Sequence, residues 1–118
     1  MLIGVPKEIK NHEYRVGMTP SSVRELTSHG HEVIVEHNAG DGIGAPDHVY
    51  EKAGAKIAAN AADVFARADM IVKVKEPQAA ERKMLRPGQV LFTYLHLAPD
   101  PDQCDDLIAS NAVCIAYE

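Results

Sequence analysis

The 118 residues, 46% of them hydrophobic, suffice for one domain of ordinary size and leave no room for a second. Twelve Lys and Arg against seventeen Asp and Glu give a formal net charge of −5, so there is no basic footprint for nucleic acid or an anionic membrane, and small soluble ligands are the default partners. Cys104 and Cys114 form no CxxC pair and have no histidine cluster beside them, which fits a reduced, cytoplasmic chain, and the apolar opening Leu2–Val5 turns charged too soon for a signal peptide or a membrane span.

Leu2–Val5, stopped by Pro6, reads as a short buried strand. The polar connection after it, KEIKNHEYRVGM, is roughly twice the usual two to six residues, a length found more often at functional loops than elsewhere. Thr19 then caps a helix with Pro20 at its first position and Val23 and Leu26 facing inward, closing near Gly30. His29 and His31 flank that glycine and read as turn residues, because a metal site would lack its third ligand. His31–Glu36 is a second strand by its β-branched content. Gly40, Gly42 and Gly44 follow, between a strand and a helix, but their spacing is G-x-G-x-G and not G-x-G-x-x-G, and Pro46 with Asp47 is an ordinary helix start. A plain turn is therefore favoured over a phosphate site.

Asp47–Ala53 is a short helix ending at Gly54, and Lys56–Ala58 a brief third strand. Asn60 caps a helix over Ala61–Arg67 that offers Val64 and Phe65 to the core. The fourth strand, Met70–Val74, carries Lys73 and Lys75 at alternate positions. A buried ammonium is costly without an anion. Lys75, at the carboxyl end, either snorkels outward or awaits a ligand; Lys73, deeper in the strand, is expected at a sheet edge or paired with backbone.

The segment AAERKML forms a helix closed by Arg86, Pro87 and Gly88. Val90–Ala98 reads as the central strand, covered on both faces, and ends by delivering His96, either to a ligand or to a backbone hydrogen bond at the core edge. In Asp100–Asn111 the acids Asp100, Asp102, Asp105 and Asp106 lie near a helix start and are read as dipole-stabilising. Val113–Ala116 is a last strand with no closing helix, so the chain reads as cut at a boundary.

Strand and helix alternate throughout, which implies an α/β fold: a doubly wound, mainly parallel sheet of about six strands with helices on both faces, Rossmann-like or flavodoxin-like. Ligands of such sheets bind beyond the carboxyl ends of the strands. There the first connection brings Arg15, the fourth strand Lys75, and the fifth Tyr94 and His96. Arg15 offers a planar fork for a carboxylate, Lys75 a point charge, and an imidazole can exchange a proton near neutral pH. That set suits a small 2-oxo or 2-amino acid. Tyr94 shares the strand side of His96 and either lines the pocket or packs as an ordinary aromatic.

The motifs IGVPKEIKNHEYRVGMTP, IVKVKEP and LFTYLHLA, in that order, resemble the amino-terminal part of alanine dehydrogenase, a likeness spread over essentially the whole chain. The resemblance implies that Arg15 and Lys75 hold the carboxylate of pyruvate or L-alanine, and that Lys75 and His96 are catalytic, His96 transferring the proton; Tyr94 is counted with the substrate-binding residues on its place beside His96. It implies NAD-dependent, reversible oxidative deamination of L-alanine in a cytoplasmic homo-oligomer, commonly a hexamer. A complete member continues into an NAD-binding Rossmann domain with the G-x-G-x-x-G fingerprint and a catalytic aspartate, both absent here. Residues 1–118 are therefore expected to be a substrate-binding segment, with no cofactor-binding or metal-binding residue of its own and not competent alone. A later segment that normally completes this domain is missing too, so exposed apolar surface and self-association are expected.

The NAD-binding subunit of proton-translocating transhydrogenase resembles the same region, and His96 within TYLHLA favours the deaminating enzyme. The same compact motif argues against the more distant saccharopine dehydrogenase. A receiver-like signalling module would need an acid pair after the first strand, where Glu8 stands alone, and an Asp after the third, where Lys56–Asn60 has none. A non-catalytic sensor of pyruvate or alanine would keep Arg15 and Lys75 without needing His96.

Overall fold

Near-continuous apolar runs along the strands call for a sheet covered on both sides, and the computed structural model, which describes residues 1–118, has that form over its inner strands. Six parallel strands run in the order β3-β2-β1-β4-β5-β6. They are β1 (Leu2–Val5), β2 (Glu32–Glu36), β3 (Lys56–Ala58), β4 (Met70–Val72), β5 (Val90–Thr93) and β6 (Val113–Ala116). The helices between them are α1 (Pro20–Ser28), α2 (Asp47–Lys52), α3 (Ala61–Arg67), α4 (Ala79–Arg82) and α5 (Pro101–Ser110).

The period of two sorts the core into layers. Ile3, Val5, Val33, Val35 and Val72 pack with Val23 of α1 and Tyr50 of α2. Ile34, Ile71 and Leu91 face the other way, onto Val64 and Phe65 of α3, Leu85 after α4 and Leu107 of α5. Gly4 occupies the position of β1 nearest α3, where a Cβ would lie 2.7 Å from both Ala68 Cβ and Val64 Cγ1.

The helix starts follow the local signals. Thr19 accepts from the Ser22 N–H, Asn60 from the Asp63 N–H and Asp100 from the Gln103 N–H. Of the four acids read as serving the start of α5, Asp100 is the cap and Asp102 lies in the first turn. Asp106 is further along and accepts from the Arg82 Nε–H (2.7 Å), tying α5 to α4. The end of α3 is closed from a distance: Arg86 and Gln89 donate to the carbonyls of Phe65 and Ala68.

Two strand expectations are corrected. β4 ends at Val72, and the strand read over Val90–Ala98 ends at Thr93, after which Tyr94 and Leu97 are exposed while Leu95 is buried. Nor is that strand central. β1 and β4 occupy the middle, with β5 one place from the β6 edge. The sequence order of the strands therefore reverses between β1 and β4, and that is where their carboxyl ends leave a crevice.

Candidate functional site

The crevice is a cleft of about 410 Å³ lined by Lys10 and Arg15 after β1, Lys75 and Glu76 after β4, Tyr94 and His96 after β5, and Glu118 after β6. All four residues expected at the site, Arg15, Lys75, Tyr94 and His96, line it together. Lys10, Glu76 and Glu118 join them without having been singled out. No sequence pattern marks these three, because each depends on which loop ends lie next to one another across the sheet.

The cations of the cleft differ in how they are engaged. Lys10 pairs with Glu76. Arg15 is gripped by Glu13: its Nε–H donates to Oε2 (2.9 Å), its Nη2 to Oε1 (2.7 Å), and its backbone N–H again to Oε2 (2.9 Å). Lys75 forms no ion pair with any carboxylate, so its ammonium is the cleft's uncommitted charge.

The backbone beneath Lys75 is held from two sides. Its N–H donates to Glu8 Oε1 (3.0 Å), and its carbonyl accepts from the Thr93 hydroxyl (2.9 Å). The other Glu8 oxygen accepts from the Val74 N–H (3.0 Å) and faces Lys73 Nζ at 3.2 Å. Lys73 Nζ also lies 3.0 Å from Glu81 Oε2. The Lys73 ammonium is therefore neither at a sheet edge nor bonded to a backbone carbonyl; it is the fully buried centre of two carboxylates. A fully buried ammonium needs anions close by, and here one comes from the loop after β1, distant in sequence, and the other from α4, which follows β4 directly. Burial pushes the Glu81 carboxyl above the usual carboxylate range, with Lys73 pulling the other way.

His96 owes its place to its backbone. Its φ of 47° is in the left-handed region, uncommon for a residue other than glycine. Glu118 holds the bend, accepting from the N–H groups of Leu95 (3.0 Å) and His96 (2.6 Å), bonds that lower its own carboxyl below the usual range. Tyr94 combines both roles considered for it: it is exposed to the cleft and its ring meets Tyr117 edge-on at 4.5 Å. Tyr117 in turn donates its hydroxyl to the Lys73 carbonyl.

The glycine-rich loop does not fit a dinucleotide. At Gly42 a Cβ would meet the Tyr14 carbonyl oxygen at 2.1 Å, and at Gly40 the Ala45 carbonyl at 2.3 Å and the Tyr50 ring at 2.5 Å. The glycines permit a close approach of the chain to itself, with the Gly42 contact supporting the loop that carries Arg15. The six-residue α2 that follows places Asp47 in its first turn, a poor neighbour for a pyrophosphate.

The arrangement matches known proteins. The family model for the N-terminal domain of alanine dehydrogenase/PNT covers residues 4–118. The chain belongs to this family. Over all 118 residues it is 55% identical to alanine dehydrogenase of Halomonas elongata and 51% identical to that of Bacillus subtilis, covering 32% and 31% of their lengths. A solved L-alanine dehydrogenase superposes over the whole chain with a TM-score of 0.97 at 50% identity, of which the chain covers 32%. The transhydrogenase of Sinorhizobium meliloti superposes over 98% of the chain with a TM-score of 0.91 at 34% identity, of which 34% is covered. The chain thus spans about a third of the length of the relatives it matches. The alanine dehydrogenase/PNT N-terminal domain in this chain is a six-stranded parallel α/β unit, and none of its helices is long and apolar enough to cross a membrane.

The grip of Glu13 on Arg15 makes a pH prediction. The Arg15 hydrogen bonds lower the Glu13 carboxyl from its ordinary 4.5 to about 2. A depressed carboxyl stabilises the fold above its unfolded value and loses that contribution as pH falls through the folded value, here between about 4.5 and 2. In a ¹³C titration, Glu13 is expected to remain ionised near pH 4, where an ordinary glutamate is mostly protonated. A midpoint near 4.5 would rule the contact out.

Proposed function

We propose that this chain is the substrate-binding part of an NAD-dependent L-alanine dehydrogenase, which interconverts L-alanine, NAD and water with pyruvate, ammonia and NADH. The observation that carries the reading is the convergence of Arg15, Lys75, Tyr94 and His96 on one cleft in a chain about half identical to curated alanine dehydrogenases. Arg15 and Lys75 hold the substrate carboxylate, and the Lys75 ammonium, free of any ion pair, polarises the adjoining carbonyl. His96 gives or takes the proton at the 2-carbon's substituent as amine and ketone interconvert. Tyr94 closes one side of the cleft.

The glycine-rich loop of this chain offers no dinucleotide cradle, so the cofactor is assigned to a Rossmann domain in the rest of a longer protein, and the 118 residues alone are read as not competent for catalysis. The longer protein is assigned to the cytoplasm as a homo-oligomer, with a hexamer expected from the family resemblance. The exposed apolar residues Ile108, Val113 and Ile115 on α5 and β6 support burial of that edge in a larger structure.

The test is a paired NMR titration of the chain with pyruvate and with NADH, following Arg15, Lys75 and His96. Saturable shifts at these residues with pyruvate, lost in Arg15→Ala and Lys75→Ala, are expected. A response to NADH and none to pyruvate would replace the reading with a transhydrogenase-like nucleotide site, the alternative favoured by the 34% identical neighbour.

A further inference from the structure

We infer that Glu13 is a positioning residue that turns Arg15 so that the end-on pair of guanidinium nitrogens, Nη1 and Nη2, meets the ligand's carboxylate in the cleft. The inference rests on the substrate reading above.

A guanidinium has two edges suited to a carboxylate: the side edge formed by Nε and Nη2, and the end formed by Nη1 and Nη2. Glu13 takes the side edge with both of its oxygens. Nη1 has no protein partner, and Nη2 keeps its second hydrogen, so the end edge remains open. The location of the two residues agrees. Arg15 lines both the substrate cleft and a second cavity formed by Lys7, Glu8, Tyr14 and Gly42 among others, whereas Glu13 lines only the second. Glu13 therefore approaches the guanidinium from behind and does not stand where a ligand would.

The two side chains also differ in mobility-determining burial. That of Arg15 is 59% exposed, and that of Glu13 is 6% exposed. A long exposed arginine samples many rotamers, and ordering it on binding costs affinity. Anchoring its side edge to a buried carboxylate removes much of that cost beforehand. The backbone N–H of Arg15 bonded to the same carboxylate fixes the start of the side chain as well as its end.

The experiment compares the wild-type chain with Glu13→Gln and Glu13→Asp by two readouts. The first is the Arg15 Nε–H signal without ligand. In the wild type it should exchange slowly with solvent, and in Glu13→Gln it should exchange as fast as a free arginine, with Glu13→Asp restoring part of the protection. The second is pyruvate affinity, expected to weaken about tenfold in Glu13→Gln, the size of one lost charge-assisted contact. An unchanged Arg15 signal in Glu13→Gln overturns the inference. So does pyruvate affinity equal to or tighter than wild type, since Glu13 would then be a bystander or a competitor for the guanidinium. If the wild type binds no pyruvate, the substrate reading fails, and the Arg15 signal still decides whether Glu13 orients the side chain.

Discussion

Lys73→Met is expected to lower the free energy of unfolding by about 3–5 kcal/mol in urea denaturation at neutral pH, because it leaves buried charge without its counterion. Methionine fills much of the lysine's volume, so the loss would report charge more than packing. Glu8 and Glu81 would then face each other across an apolar gap, their side chains 1% and 2% exposed. Glu81 can escape by taking a proton, since burial already raises its carboxyl. A carboxyl raised in the folded state contributes stability below its unfolded value that is lost as pH rises through the folded one. The deficit of Lys73→Met should therefore be larger at pH 8 than at pH 5. Adding Glu81→Leu should recover part of it, as buried ion clusters replaced by apolar groups often do. A deficit under about 1 kcal/mol, the range of an exposed pair, would show that Lys73 reaches water.

Glu8→Ala is expected to cost about 2–5 kcal/mol by a different route. It orphans the N–H groups of Val74 and Lys75, each unsatisfied donor costing about 1–3 kcal/mol, while Lys73 keeps Glu81 at 3.0 Å. Those two amides set the backbone from which Lys75 enters the cleft, so pyruvate affinity should fall along with stability. Loss of stability with unchanged affinity would show that the Thr93 hydroxyl on the Lys75 carbonyl is enough to place that side chain.

Much of the fold was legible because its signals are local. The caps at Thr19 and Asn60, the stops near Gly30 and Gly54, and the β-branched run of β2 are short-range chemistry, and each element formed where that chemistry placed it. The alternation of strand and helix was enough to imply a parallel sheet. The misread ends share a cause. Apolar content in Val90–Ala98 says that a residue is buried, not that its backbone stays extended. Leu95 is buried from a bend in which His96 adopts a left-handed conformation.

The four expected cleft residues were readable because position at the carboxyl end of a strand is a property of order along the chain. Their partners were not. Glu13 could have been noticed as an acid two residues before Arg15, but spacing alone does not say whether two exposed-looking side chains meet. Glu8 lies 65 residues from Lys73, and only the sheet order, which puts β1 beside β4, makes them neighbours, while Glu81, eight residues on, is brought back by the turn into α4.

By itself, then, the sequence determined the element types, the parallel sheet and which side chains stand at its carboxyl rim, because caps, turns and alternation act within a few residues. Only the tertiary structure decided the state of each charge there: Arg15 bound from behind, Lys75 left free, and Lys73 buried between two acids. Electrostatic partnership depends on distance in space and on burial, and both are set by strand order rather than by neighbours along the chain.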